Sequence, residues 1–146
     1  MKNKKIKIGI VAARFNEAVT ERLLKACLDE LVRSGVKKND IRAHWVPGSF
    51  EIPIVAFKIA QKKDIDAVIC LGAVIRGETM HYDLIARGVA DGVMQVGLKT
   101  GKPVIFGVLT TETFDQASRR SQSKGVNKGR DSAAAAIQMI DLLRSL

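Results

Sequence analysis

"DAVICLGAVI", residues 66–75, decides the fold. After Asp66 no side chain in the run is polar, so neither face of a strand here is offered to water. A run of this length, bounded by polar residues, reads as a strand buried on both faces, which is the habit of parallel sheets. "PVIFGVLT" (103–110) reads the same way. "KIKIGIVAA" (5–13) alternates and then turns solidly apolar, and "IRAHWV" (41–46) is a short strand ended by Pro47-Gly48. Helical spacing fills the intervals. From Ala18, the residues Val19, Leu23, Leu24, Cys27, Leu28, Leu31 and Val32 recur every three or four positions until Gly35 stops the helix. "IPIVAFKIAQKK" (52–63) predicts a helix with Pro53 in its first turn. Further helices are expected over Asp83–Lys99, "TFDQASRRS" (113–121) and Asn127–Arg144. Strand and helix alternate four times with no repeat or linker between them. The expectation is one doubly wound α/β domain over residues 1–146, with four parallel strands in the flavodoxin-like order 2-1-3-4 and helices on both faces.

Composition limits what such a domain can be. The chain has 146 residues, of which 47% are hydrophobic and 27% charged, enough for a core of its own and too apolar for disorder. No apolar run approaches the roughly 20 residues of a membrane helix. "MKNKKIKIGIVAARF" has an apolar stretch too short for a signal peptide and cut off by Arg14, so it reads as a basic tip leading into a strand. Cys27 and Cys70 both lie inside apolar patterns and read as small buried hydrophobes, as in a reducing cytosol. The net charge of +9 suits anionic partners, but its basic residues are scattered and no nucleic-acid motif accompanies them.

In open parallel sheets ligands bind beyond the carboxyl ends of the strands. Those ends read "ARFN" (13–16), "PGSFE" (47–51), "AVIRGETMH" (73–81) and "LTTET" (109–113). Gly77 permits close backbone approach, and Glu78-Thr79 offer N–H groups at a helix entrance, an arrangement that favours phosphate. His81 is one of two histidines in the chain and fits either a proton-transfer group or a helix-start residue satisfied by a neighbour. Neither His81 nor His44 belongs to a metal-ligand spacing. Phe15 is placed to stack on a planar ring or to plug the edge of the core. Glu51 is placed to bind hydroxyls or to cap the next helix. "RRSQSKGVNKGRDS" (119–132) gathers Arg119, Arg120, Lys124, Lys128 and Arg130, as an anion clamp or a solvated loop.

Together "ARFN", "VPGSFEIP", "LGAVIRGETMHYD", "PVIFGVLTTET" and "NKGRDSAAAAIQM", in this order from about Lys5 to Leu143, resemble the lumazine synthase family of riboflavin biosynthesis. The resemblance implies condensation of 5-amino-6-(D-ribitylamino)uracil with 3,4-dihydroxy-2-butanone 4-phosphate, giving 6,7-dimethyl-8-ribityllumazine, phosphate and water. It implies no metal and no organic cofactor. Phe15 would stack on the pyrimidine. Ser49, Phe50 and Glu51 would hold the substituted uracil, and Ala73, Val74 and Ile75 would meet its edge through backbone groups. Glu78 and Thr79 would bind the phosphate substrate, and His81 would move protons. The family's site lies between subunits, so Phe106 and Arg120 would come from a neighbour, with Lys128 and Asp131 near the same pocket. A cytoplasmic homopentamer is implied, with a sixty-subunit shell and riboflavin synthase as further partners, and neither nucleic acid nor membrane. The helix after His81 carries Gly88 and Gly92 on one face, suited to close helix approach, and the family's equivalent helix lines the five-fold axis.

The pattern is departed from at Gln122, where glycine is usual, and at Arg130, where an apolar or aromatic residue is common. Shell-forming relatives usually carry an extra N-terminal strand that is lacking here, whereas the "RSQSKGVNKG" loop (120–129) has no insertion that would block a shell. The alternative is a non-catalytic flavodoxin-like nucleotide- or nucleic-acid-binding module or scaffold. "ARFN" offers neither the acidic cluster nor the phosphate loop expected after the first strand of a nucleotide binder.

Overall fold

The structure is a computed structural model describing residues 5–146, so most of the basic tip lies outside the described residues. Strands β1 (Ile8–Ala13), β2 (Ile41–Val46), β3 (Ala67–Ile75) and β4 (Val104–Thr111) form one parallel sheet in the order β2-β1-β3-β4. Helices α1 (Glu17–Arg33), α2 (Ile52–Ala60), α3 (His81–Thr100), α4 (Phe114–Arg119) and α5 (Lys128–Ser145) complete the chain. The architecture is the expected doubly wound α/β fold.

The unbroken apolar run of β3 divides by parity between two cores. Ala67, Ile69, Leu71 and Ala73 face α1 and α5; Val68, Cys70 and Val74 face α2 and α3. β1 divides likewise, Ile8 and Ile10 to the first core and Val11 and Ala13 to the second. Val19, Leu23, Cys27 and Leu31, each four residues on, form the stripe of α1 that closes the first core. Leu23 is wholly buried, and its truncation to alanine is worth about 2–5 kcal/mol. Cys27 and Cys70 are free and buried as expected, and burial pushes both thiols up to about 12. His44, on the edge strand, is held below its ordinary 6.5 by burial first and then by the charges of Lys62 and Arg42.

Several boundaries shift. β1 begins at Ile8, because the N–H of Lys7 donates to Asp66 Oδ2 at 2.8 Å instead of joining a ladder. α2 ends at Ala60, before the expected Lys63. α3 begins two residues early, so His81 belongs to its first turn. Gly88 and Gly92 do permit close approach, but the element that approaches belongs to the same chain. A Cβ at 92 would meet Pro53 Cγ at 2.7 Å, and one at 88 would meet Phe50 Cε1 at 3.2 Å.

Candidate active site

The chain leaves β1 without leaving the sheet. The N–H of Arg14 donates to Val46 O at 2.8 Å and that of Phe15 to Pro47 O at 3.1 Å. Asn16 then turns with φ of 62°, the left-handed region that asparagine tolerates better than most residues. Its carbonyl accepts the N–H groups of Val19 and Thr20, which starts α1. Its side-chain amide reaches across and donates to Ala73 O at 2.8 Å. This contact matters because β1 and β3 stop pairing at Ala12 and Leu71, whereas β3 and β4 pair as far as Ile75 and Thr111. Asn16 holds the overhanging end of β3 and leaves Phe15 72% exposed beside it.

After β2, Pro47-Gly48 leads into a single 3₁₀ turn, Ser49–Glu51, that runs directly into α2. Glu51 has helical dihedrals and makes no capping bond, so its carboxylate is not spent on the helix. Phe50 is 60% exposed. Ser49 is buried, and its Oγ has no hydrogen-bond partner among the described residues. A buried polar atom left without a partner costs about 1–3 kcal/mol, and Ser49 lines the cleft at these strand ends.

Beyond β3, residues 76–81 are exposed. Thr79 Oγ1 accepts the N–H of His81 at 3.3 Å, and Met80 stands just outside α3. The N-terminal end of a 20-residue helix therefore opens beside Gly77 and Thr79, with the partial positive charge that attracts anions.

These ends enclose one cleft of about 620 Å³. Phe15, Ser49, Phe50, Glu51, Ala73, Val74, Ile75, Thr79 and His81, all expected site residues, line it. Glu78 is exposed and lies outside the lining, between Gly77 and Thr79, which are part of it. Tyr82 and Ile85, which the sequence did not single out, form a wall; they lie one and four residues after His81 on α3. A second hollow of about 660 Å³ sits against Trp45 on the outer side of α1, rimmed by Lys25 and Asp29. None of the expected site residues lines it.

A family model, 6,7-dimethyl-8-ribityllumazine synthase, matches residues 5–144. The chain belongs to that family. It is thus a lumazine synthase of riboflavin biosynthesis, a transferase. Among the described residues no cluster of three or more His, Cys, Asp and Glu side chains is placed to hold a metal ion, and no helix is long and apolar enough to cross a membrane.

The remaining residues that lumazine synthase resemblance singles out are not in the cleft of this chain. Phe106 is half-buried on β4 against the α2–α3 core. Arg120, Lys128 and Asp131 are exposed around the loop before α5. That loop is firmly built. Arg120 Nη1 donates to Gln116 O at 3.0 Å, and Arg120 O accepts the N–H of Lys128 at 2.9 Å. Both departures from the family pattern serve the loop. Gln122 Nε2 donates to Arg119 O at 3.0 Å, and Arg130 donates to Gly125 O at 2.7 Å and Ser123 O at 3.1 Å. Asn127, buried, caps α5 through Gly129 and Arg130 N–H and donates to Gln122 O at 3.1 Å. So Arg130 directs its guanidinium into the loop's backbone, Arg120 directs Nη1 to Gln116 O, and Arg119 Nε meets Asp115 Oδ2 at 3.1 Å.

Proposed function

We propose that this lumazine synthase condenses 5-amino-6-(D-ribitylamino)uracil with 3,4-dihydroxy-2-butanone 4-phosphate, releasing 6,7-dimethyl-8-ribityllumazine, phosphate and water. The observation that carries the reading is the cleft itself. It gathers an exposed ring at Phe15, a free carboxylate at Glu51, an unpartnered hydroxyl at Ser49, a helix N-terminus and His81. Each has a task in this reaction. The pyrimidine lies against Phe15, with the backbone of Ala73–Ile75 and the Ser49 hydroxyl at its polar edge. Phe50 and Glu51 take the ribityl chain, the carboxylate accepting from its hydroxyls. The phosphate sits at the N-terminus of α3, on the N–H groups around Glu78 and Thr79.

The chemistry then needs proton traffic more than electron traffic. The 5-amino nitrogen attacks the ketone carbon; the carbinolamine loses water to give an imine. Loss of the proton at C3 expels phosphate from C4 with the C–O bond electrons and leaves an enol. Its ketone form is attacked by the ribitylamino nitrogen, and a second water departs as the ring closes. His81, on the lining of the cleft, would take and return those protons, a role worth about 10²–10⁴-fold in rate. Arg120 of an adjacent copy would pair with the departing phosphate, and Phe106 of that copy would close the cleft over the pyrimidine, with Lys128 and Asp131 at its rim. The assembly that provides such a neighbour is a homopentamer, with the sixty-subunit shell a further step.

Incubation with both substrates and no added metal, nicotinamide or flavin should produce the absorbance and fluorescence of the lumazine. Activity that a chelator abolishes and a divalent metal restores would refute this route. The shared site has its own test, reassembly of His81→Ala with Arg120→Ala subunits. In a head-to-tail ring with equal random mixing about a quarter of sites recover both intact groups. Mixed rings as inactive as their parents would refute the placement of Arg120.

A further inference from the structure

We infer that Arg76 is a positioning residue for His81: its side chain is the strut that sets the start of α3 against the end of β4. This rests on the proposed reaction. Arg76 follows the last residue of β3, and its own N–H donates to Thr111 O at 2.9 Å, so its backbone is fixed by the sheet. From that fixed point the guanidinium makes contacts in two directions. Nη2 meets Asp83 Oδ1 at 3.1 Å, in the first turn of α3. Nε meets Glu112 Oε2 at 2.8 Å, just beyond β4. The planar group also lies over the Tyr82 ring, 4.7 Å from its centroid. Tyr82 and Asp83 are the two residues that follow His81, and Tyr82 is part of the cleft wall.

Apart from the packing of Tyr82 against the α2–α3 core, the segment Arg76 holds has little else to hold it. Residues 77–81 are exposed, and their other hydrogen bonds are local, from the N–H of His81 to Thr79 Oγ1 and from that of Leu84 to Met80 O. Among the described residues no other side chain ties residues 77–83 by hydrogen bond or ion pair to another strand end. The anchoring carboxylates are themselves half-exposed, so the ion pairs add little to the stability of the fold. Their effect is directional. A fork of fixed geometry that grips a helix start on one side and a strand end on the other sets the angle at which α3 presents His81, and lysine has no such fork.

The test is a double-mutant cycle with an exchange measurement. Arg76→Met should lower kcat by about ten- to a hundred-fold, the scale of a displacement of about an ångström at a reacting group. The KM for the pyrimidine substrate should stay within about two-fold, since the cleft floor is untouched. Combined with His81→Ala, Arg76→Met should add almost nothing, because it acts through the histidine. Arg76→Lys should recover only part of the loss, and Glu112→Gln should reproduce part of it with the arginine in place. Independent, multiplying effects of Arg76→Met and His81→Ala would overturn the assignment. Amide exchange supplies a readout that does not need turnover: peptides spanning the opening of α3 should exchange faster in Arg76→Met and Glu112→Gln than in the parent. Unchanged exchange there in both variants would overturn the strut by itself. A parent that never turns over the two substrates would instead overturn the reaction, and leave exchange to judge the strut.

Discussion

Replacement of Asn16 separates two physical effects that coincide at one residue. Its φ of 62° is open to glycine and tolerated by asparagine, whereas alanine there costs about 1–2 kcal/mol. Its amide is also a hydrogen-bond donor to Ala73 O at 2.8 Å, and Ala73 is buried. Leaving that carbonyl without a partner costs about 1–3 kcal/mol. Asn16→Ala meets both losses, about 2–5 kcal/mol together. Asn16→Gly meets only the second, plus about 0.5–1 kcal/mol for glycine's freedom in the unfolded chain. Glycine should therefore be the milder replacement, the reverse of the order found in helices and strands. For a chain of this length each kcal/mol moves the thermal midpoint by roughly 3–4 °C. Urea and thermal unfolding of the parent and both variants measure this. One protein concentration must be used throughout, because assembly makes midpoints depend on it. Both variants should also weaken binding of the pyrimidine before they slow chemistry, since the loosened element is the cleft floor. An alanine variant as stable as the glycine variant would refute the cost assigned to the left-handed turn, and a glycine variant as stable as the parent would refute the cost assigned to the stranded carbonyl.

Gly129→Ala should prevent folding at normal yield, because a Cβ there runs into the backbone carbonyl of Leu23 where α5 crosses α1; soluble variant at the parental yield would disprove that crossing. Cys27 and Cys70, pushed up to about 12 by burial, should be inert to a thiol reagent at about pH 8 in the folded protein and both react in denaturant; rapid labelling of native protein would count against their burial. The neutral form of His44 is favoured on folding. Below its ordinary 6.5 the unfolded chain therefore binds a proton that the folded chain resists, and stability is lost as pH falls through that value. His44→Gln should make the fall in urea midpoint between about pH 7.5 and 5.5 shallower, and an unchanged fall would remove His44 from the account.

Much of this was legible in the sequence for one reason: parallel strands buried on both faces cannot alternate, so "DAVICLGAVI" and "PVIFGVLT" identify both themselves and the end of the sheet where a ligand sits. Phe15, Glu51, Thr79 and His81 were found by that rule, and the structure brings them to one cleft. What the sequence hid are relations between distant residues. Gly88 and Gly92 announce a close neighbour by their spacing but not its identity, which is the α2 entrance of the same chain. Asn16 read as a loop residue because a side chain's reach to a carbonyl 57 positions away leaves no local trace. Arg76 joins Asp83 and Glu112, seven and thirty-six positions on, and only the order of the strands places those carboxylates on either side of it. The starts of β1 and α3 were misplaced for a smaller reason: Lys7 and Met80 take their geometry from partners and turns that composition does not encode.

The overhang of β3 past β1 has a bearing on resistance to inhibitors. Main-chain groups alternate sides along a strand; Arg76 turns its N–H to β4, and Ala73 turns its carbonyl the other way, to Asn16. By that alternation Ile75 presents its peptide groups on the Ala73 side, beyond the last residue of β1 that pairs with β3. A compound that takes its hydrogen bonds from this rung reads atoms every amino acid but proline possesses. Escape by a point mutation would then have to come from bulk or backbone distortion, and the sheet around the rung, paired to β4 as far as Ile75, tolerates little of either.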